Sequence, residues 1–180
     1  MMLAGDRVRL RPLEESDLAR TLVWVNTPEI VEAVGVRAPV SAEQQREWFA
    51  ALGNDASKTV LAICRIDTGE HIGNVSLGDM DRVHRTGRFS IFIADAVHRG
   101  QGFGSEAARL MLCHAFGTLG LHRVHLKTTA DNAPAIALYE ALGFVREGLL
   151  REHEFHGGRF VDKLLYGMLD REWGIEQGGG

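Results

Sequence analysis

The chain has only two cysteines among 180 residues, Cys64 and Cys113, too few for a disulfide framework of the kind that holds small secreted domains together. Each sits in an apolar stretch, which predicts two buried, reduced thiols and a cytoplasmic location. No apolar run approaches the roughly 20 residues that cross a bilayer, so a membrane is not an expected partner. The first residues carry Asp6, Arg7, Arg9 and Arg11 and lack the apolar centre of a secretory leader. Excess positive charge is missing too. Lys and Arg number 20 against 24 Asp and Glu, a formal net charge of −4. Phosphate backbones ask for a basic face, so nucleic acid is not an expected partner either. Internal repeats and Pro- or Ser-rich linkers are absent. The one biased stretch is Gly178-Gly179-Gly180, and residues 176–180 are expected to form a disordered tail. What remains is an ordinary globular composition, 45% hydrophobic and 24% charged, enough for a single domain over residues 1–175.

The patterning predicts a strand at residues 8–10, a helix capped by Ser16 or Asp17 and running to about Trp24, and a short helix opened by Pro28. A third helix starts at Ser41, carries Glu43 and Gln44 in its first turn, and stops at Gly53-Asn54. Residues 59–66 and 71–77 read as a hairpin around Asp67-Thr68-Gly69-Glu70, followed by a polar loop at 78–84. Residues 88–93 alternate, with Phe89, Ile91 and Ile93 on one face. A helix over 104–116, stopped by Gly117 and Gly120, then leads to a strand over 123–129. Its Val124, Leu126 and Thr128 share a face, and such a crossover makes the flanking strands parallel. A helix over 134–142 ends at Gly143, and two strands near 144–155 and 159–169 turn at His156-Gly157-Gly158. The predicted class is α/β, with a central, mixed, mostly antiparallel, seven-stranded twisted sheet flanked by helices.

The most informative stretch is Arg99-Gly100-Gln101-Gly102-Phe103-Gly104-Ser105, between a strand and a helix start. Glycines let the backbone turn tightly and approach a ligand. The first helical amides lack internal partners and carry the positive end of the macrodipole, so together they form a nest for phosphate oxygens. Arg99 can add a charge-assisted bond. Two other phosphate loops fit less well. A P-loop ends in Gly-Lys-Ser/Thr, whereas Gly104 is followed by Ser105 and Glu106. Gly102, Gly104 and Ala107 match the dinucleotide fingerprint of a nicotinamide oxidoreductase. That turn should follow its strand at once, and its acidic partner should stand about 20 residues on, which Asp131 overshoots.

A second constellation runs from Asn132 to Phe144. Asn132 can cap the helix that Pro134 opens, and Tyr139 lies mid-helix on the face of Ala135 and Leu142. Taken alone, Tyr139 reads as a packing residue. A phenol near pKa 10 is nonetheless protonated at neutral pH and could protonate a departing thiolate.

Together these segments resemble the GNAT N-acetyltransferase superfamily. Arg99 to Gly104 matches its R/Q-x-x-G-x-G/A loop, and Asn132 to Phe144 its N-x-x-A-x-x-x-Y-x-x-x-G-F segment. Leu10-Arg11-Pro12-Leu13, Asp17-Leu18, Trp24-x-Asn26 and Pro28-Glu29-Ile30 resemble the opening of the branch that contains ribosomal-protein N-terminal and spermidine acetyltransferases. Glu147-Gly148, Gly158-Arg159 and Asp162 resemble its C-terminal hairpin.

The resemblance implies acetyl-CoA as donor substrate and no metal. It places the pyrophosphate on the amides of Arg99, Gly100, Gln101, Gly102, Phe103, Gly104 and Ser105, and the pantetheine arm along Phe92, Ile93 and Ala94. The two central parallel strands splay there in a V, so that the Ile93 amide could polarise the thioester carbonyl. Asn132 corresponds to a side-chain contact to the cofactor, and Tyr139 to the general acid. The implied acceptor is a primary amine, on a small molecule or a protein N-terminus. Homodimers are common in that branch.

One departure concerns the base. Many relatives carry glutamate where this chain has Arg88, which leaves Asp79, Asp81, His84 or a water chain to deprotonate the amine. An arginine there could instead attract a carboxylated acceptor. It also keeps open a non-catalytic, CoA-binding regulatory domain. The acceptor groove is expected among residues 24–36, 78–84 and 153–160. His122 with His125, and His153 with His156, stand three apart on strands and so face opposite ways, which offers no metal site.

Overall fold

The computed structural model describes residues 2–34, 39–156 and 158–176, so the Gly-rich tail after 176 and part of the expected groove segment 24–36 lie outside the described residues. In chain order the elements are β1 (Leu3–Ala4), β2 (Val8–Pro12), α1 (Leu18–Val25), α2 (Pro28–Val34), α3 (Ala42–Leu52), β3 (Thr59–Arg65), β4 (His71–Asp81), β5 (Thr86–Ile93), α4 (Phe103–Cys113), β6 (Arg123–Thr129), α5 (Ala133–Ala141), β7 (Val145–His156), β8 (Arg159–Leu169) and α6 (Asp170–Glu176). The strands follow the order β1-β2-β3-β4-β5-β6-β8-β7 in a mixed, mostly antiparallel sheet. The eighth strand, absent from the sequence expectation, is the two-residue β1, paired with β2 at Leu3↔Leu10. The one parallel pair is β5 with β6. Its ladder registers Thr86↔Arg123, Gly87↔Val124 and Arg88↔His125, and both strands run on past it.

The chain forms two compact units, Met1–Met80 with Ser90–Leu112, and Asp81–Phe89 with Cys113–Gly180. In the first, Val8 and Leu10 are fully buried while Arg9 and Arg11 point the other way, the alternation a half-buried strand needs. Ser41 starts α3 with a reciprocal capping box. Its hydroxyl accepts from the Gln44 amide at 3.2 Å, and its own amide donates to Gln44 Oε1 at 2.9 Å. Trp48, Phe49 and Leu52 of α3 then pack on Leu13, Ala62 and Cys64. The entry to α1 differs from expectation. Ser16 caps nothing; a single 3-10 turn, Glu15–Asp17, precedes the helix, and Glu14 and Asp17 form the capping box. Strand β4 also runs to Asp81, so the expected loop at 78–84 shrinks to a turn after it.

In the second unit, Asp81 closes that turn by accepting from the Val83 and His84 amides, both at 2.8 Å. The helix expected to stay α-helical to Phe116 instead widens into a π-turn, His114–Thr118, with the Leu119 amide reaching back to His114 O at 2.9 Å. Cys113 at its start is exposed, against the expectation of a buried thiol, whereas Cys64 is buried. Helix α6 was not expected from the sequence. It begins where Glu172 accepts from the Leu169 amide at 2.8 Å, and its Trp173 packs on Phe116 at 6.2 Å.

Candidate active site

The first unit contains a strand end and a glycine loop. Gly73 of β4 is the residue that lets β5 come close. A Cβ on it would stand 2.1 Å from Phe92 O and 3.0 Å from Ile93 Cα, which no side chain tolerates. One residue on, the Ala94 amide donates to Ile72 O at 2.9 Å. The Arg99 guanidinium, expected on a phosphate, is turned onto this backbone. Its Nε donates to Ile93 O at 2.9 Å and its Nη2 to Ala94 O. Arg99 therefore staples the end of β5, and its amide is taken up by Ala96 O at 3.1 Å.

That leaves the amides of Gly100, Gln101, Gly102, Phe103, Gly104 and Ser105. Among the described residues none of them has a protein acceptor, and the first satisfied amide is that of Glu106, on Gly102 O at 3.1 Å. Gly100 (φ 71°) and Gly102 (φ 86°) adopt the left-handed conformation that turns these donors outward at little cost. Phe103 is buried and anchors the start of α4 against His98, ring centroids 6.2 Å apart. Gly104 sits against Ile93, whose Cγ1 lies 3.6 Å from where a Cβ would be, so loop and strand end touch. Two loop side chains face their own backbone or helix. Gln101 Nε2 donates to Val97 O, and Ser105 Oγ accepts from Arg109 at 2.8 Å.

Behind β5 runs a buried polar chain that the sequence did not reveal. The Asp17 carboxylate takes two bonds from Arg11 at 2.7 and 2.8 Å, one from the Glu14 amide at 2.8 Å, and faces His71 Nδ1 at 3.1 Å. His71 Nε2 lies 3.0 Å from Gly73 O and 2.8 Å from Asn74 Oδ1. Burial works to raise the Asp17 pKa, but the Arg11 guanidinium and the Glu14 amide prevail and hold it at about 2. Burial pushes the His71 imidazole down, against Asn74 and Asp17. Trp24 stands edge-on to His71 at 4.8 Å and to Phe92 at 5.9 Å, which ties the network to the strand. The available sequence signal was Gly73, a glycine inside an apolar strand pattern.

The fold also gathers Glu70, Asp95 and His98, with one ligand-type atom from each within 4.8 Å of the others. Glu70 is already engaged, Oε2 3.4 Å from His98 Nε2 and Oε1 3.8 Å from Arg20, and that guanidinium opposes a bound cation.

The second unit contains α5. Asn132 caps it, its Oδ1 accepting from the Ala135 amide at 3.3 Å, and Pro134 sits in the first turn. The helix stops where Gly143 (φ 89°) bends the chain and the Phe144 amide returns to Tyr139 O at 3.0 Å. Tyr139 is 7% exposed. Its ring is surrounded by Phe144 at 6.0 Å, Tyr166 at 6.3 Å and Phe89 at 6.4 Å. Tyr166 donates to Glu140 Oε1 at 2.9 Å, and burial together with that carboxylate raises its pKa. Of the base candidates, Asp79 is exposed at a strained φ of 50° and His84 is exposed. The His84 and Val83 amides hold the Asp81 carboxyl below the usual carboxylate range. Arg88 is exposed on β5.

Residues 7–145 match the family model described as an acetyltransferase (GNAT) domain. An uncharacterised N-acetyltransferase, p20, from Bacillus licheniformis is 28% identical over 175 residues, covering 95% of this chain and 97% of that protein. The crystal structure of spermidine N-acetyltransferase from Vibrio cholerae in complex with CoA and spermine superposes with a TM-score of 0.88. It is 28% identical and covers 94% of this chain and 99% of that one. A dodecameric structure of the Vibrio cholerae enzyme in an intermediate state gives a TM-score of 0.81 at 27% identity, with 94% and 97% covered.

Proposed function

We infer the details of the reaction from one premise: the chain belongs to the acetyltransferase (GNAT) family and is an acetyl-CoA-dependent N-acetyltransferase, which moves an acetyl group onto an amine. The observation that carries the assignment of its site is the row of unsatisfied amides from Gly100 to Ser105 at the start of α4, a set of fixed dipoles suited to a diphosphate.

In this reading those amides hold the diphosphate, and the backbone of Phe92, Ile93 and Ala94 lies along the pantetheine arm. The Ile93 amide donates to the thioester carbonyl, where negative charge builds as the amine attacks. Asn132, whose Oδ1 caps α5, has its amide hydrogens left to donate to the arm. The amine forms the new C–N bond, the C–S bond breaks, and Tyr139 gives its phenolic proton to the departing thiolate. The amine's own proton leaves through Asp79, Asp81, His84 or water. Residues 1–175 are proposed to act as a single acetyltransferase domain.

A primary amine on a small molecule, of the polyamine type named for the Vibrio relative, is the first acceptor to test, and a protein α-amine the second. Exposed Arg88 favours a further reading, an acceptor that carries a carboxylate. The chain is proposed to act in the cytoplasm and to self-associate, at least as a homodimer. No helix among the described residues is long and apolar enough to cross a membrane. Calorimetric titration with acetyl-CoA, followed by thiol release with a panel of polyamines, amino acids and N-terminal peptides, tests the reading. No uptake of acetyl-CoA would overturn it. Arg88→Glu should shift the panel towards polyamines, and an unchanged profile would remove Arg88 from acceptor choice.

A further inference from the structure

Arg99 is turned away from the loop, but a second arginine, Arg7, stands beside it. Arg7 precedes β2, and its backbone is pinned to the first turn of α4. Glu106 Oε1 accepts from the Arg7 amide at 2.8 Å and from the Val8 amide at 3.1 Å. The Arg7 guanidinium lies over the Phe103 ring, 4.4 Å from its centroid. Its Nη1 stands 3.3 Å from where a Cβ on Gly102 would be. Arg7 thus hangs beside the middle of the row of free amides, stacked on the residue that anchors the row. It has no ion pair among the described residues. Arg65 shares the same ring at 5.4 Å but is tied to Asp67, with Nε on Oδ1 at 2.9 Å.

We propose that Arg7 is the cation that faces the diphosphate of the acetyl donor on this loop. The assignment rests on the acetyl-CoA reading above and deepens it. Stacking on Phe103 restricts the guanidinium before the ligand arrives, so less rotamer freedom is lost on binding. The sequence hid this because Arg7 and Phe103 stand 96 positions apart (103 minus 7) and no motif links them.

The test is calorimetry with CoA and with 3′-dephospho-CoA on the full chain, its Arg7→Gln and Arg7→Lys variants, and Phe103→Leu. Arg7→Gln should weaken both ligands alike, about tenfold, the scale of one charge-assisted phosphate contact. The salt dependence of binding should flatten, Arg7→Lys should recover part of the loss, and kcat at saturating acetyl-CoA should stay near its original value. Phe103→Leu should weaken binding less than Arg7→Gln and reduce the effect of adding it, at an unchanged thermal midpoint in Arg7→Gln. Undiminished affinity in Arg7→Gln overturns the proposal. So does a loss that vanishes with 3′-dephospho-CoA, because Arg7 would then serve the 3′-phosphate. Failure of the unaltered chain to bind CoA would sink the acetyl-CoA reading itself, and that result is separate from any difference between variants.

Discussion

Behind β5 the first unit buries a carboxylate, an imidazole and an amide, Asp17, His71 and Asn74, whereas around α5 the second buries aromatic rings about the phenol of Tyr139. The difference follows from what each unit has to offer. The first presents backbone: the carbonyls stapled by Arg99 and the amides of the loop. Backbone groups cannot change rotamer to suit a ligand, so the strand that carries them has to be fixed in advance. A directional network does that better than apolar contact, because each bond sets an angle as well as a distance. The second unit presents a side-chain hydroxyl, and edge-to-face ring packing orients the ring without itself consuming the proton.

The largest expected effect lies in the polar network. Asp17→Asn leaves the Arg11 guanidinium without its carboxylate partner in a poorly solvated site, a change worth about 3 kcal/mol or more. Urea unfolding checks this. The pH dependence has a definite sign. The folded Asp17 pKa, about 2, is depressed below its ordinary value, so its contribution is complete at neutral pH and is lost as pH falls from about 4 towards 2. The gap between the original chain and Asp17→Asn should therefore close on acidification. A gap that is absent at pH 7, or constant down to pH 2, would mean that the network does not stabilise the strand.

Next comes the phenol. Tyr139→Phe keeps the ring among Phe89, Phe144 and Tyr166 and removes the hydroxyl that carries the proton. Turnover should fall about 100-fold, the low end for general acid catalysis, with the affinity for acetyl-CoA unchanged. If affinity and stability fell together and turnover did not, Tyr139 would be a packing residue and the contrast between the units would be lost.

How much of this was legible in the sequence depends on which physics carried it. Capping and periodicity gave α3, β6 and β8 to within a residue, because Ser41 with Gln44 and the alternation of Val124, Leu126 and Thr128 are local signals. The glycine loop was legible for the same reason, since left-handed backbone at Gly100 and Gly102 can be read from residue type. Tertiary competition was not legible. Nothing near Arg99 says that its guanidinium will meet Ile93 O and Ala94 O before any phosphate. Asp17 looked like the side-chain cap of α1, but it makes no cap bond to that helix: its carboxylate goes to the Glu14 amide, to Arg11 and to His71, the last 54 residues away. The π-turn at His114, five residues, and the short α6, seven residues, escaped because neither is long enough for periodicity to speak.

A smaller effect separates two glycines of the loop. Gly102 is left-handed at φ 86°, and a Cβ there would also crowd Arg7. Gly102→Ala should cost about 1–2 kcal/mol in forcing an L-residue into that conformation. The loop can escape by rotating the Gly102 and Phe103 amides out of the row, so acetyl-CoA should bind about tenfold more weakly while kcat under saturation changes little. Binding at full strength would mean that the left-handed turn is not what aims the donors.

The smallest effect is expected two residues on. Gly104 is already helical, within α4, and is not among the glycines with positive φ. A Cβ on it would meet Ile93 Cγ1 at 3.6 Å, ordinary van der Waals contact. Alanine favours helix over glycine by roughly 1 kcal/mol, and a first-turn position realises only part of that. Gly104→Ala should therefore leave the thermal midpoint level or slightly raised, and acetyl-CoA affinity within about twofold. The added methyl lies against Ile93, so it also probes the spacing between loop and strand end. A large loss of turnover in Gly104→Ala, with affinity intact, would mean that the gap between Gly104 and Ile93 is part of the reacting geometry and that loop and strand act as one element of the site.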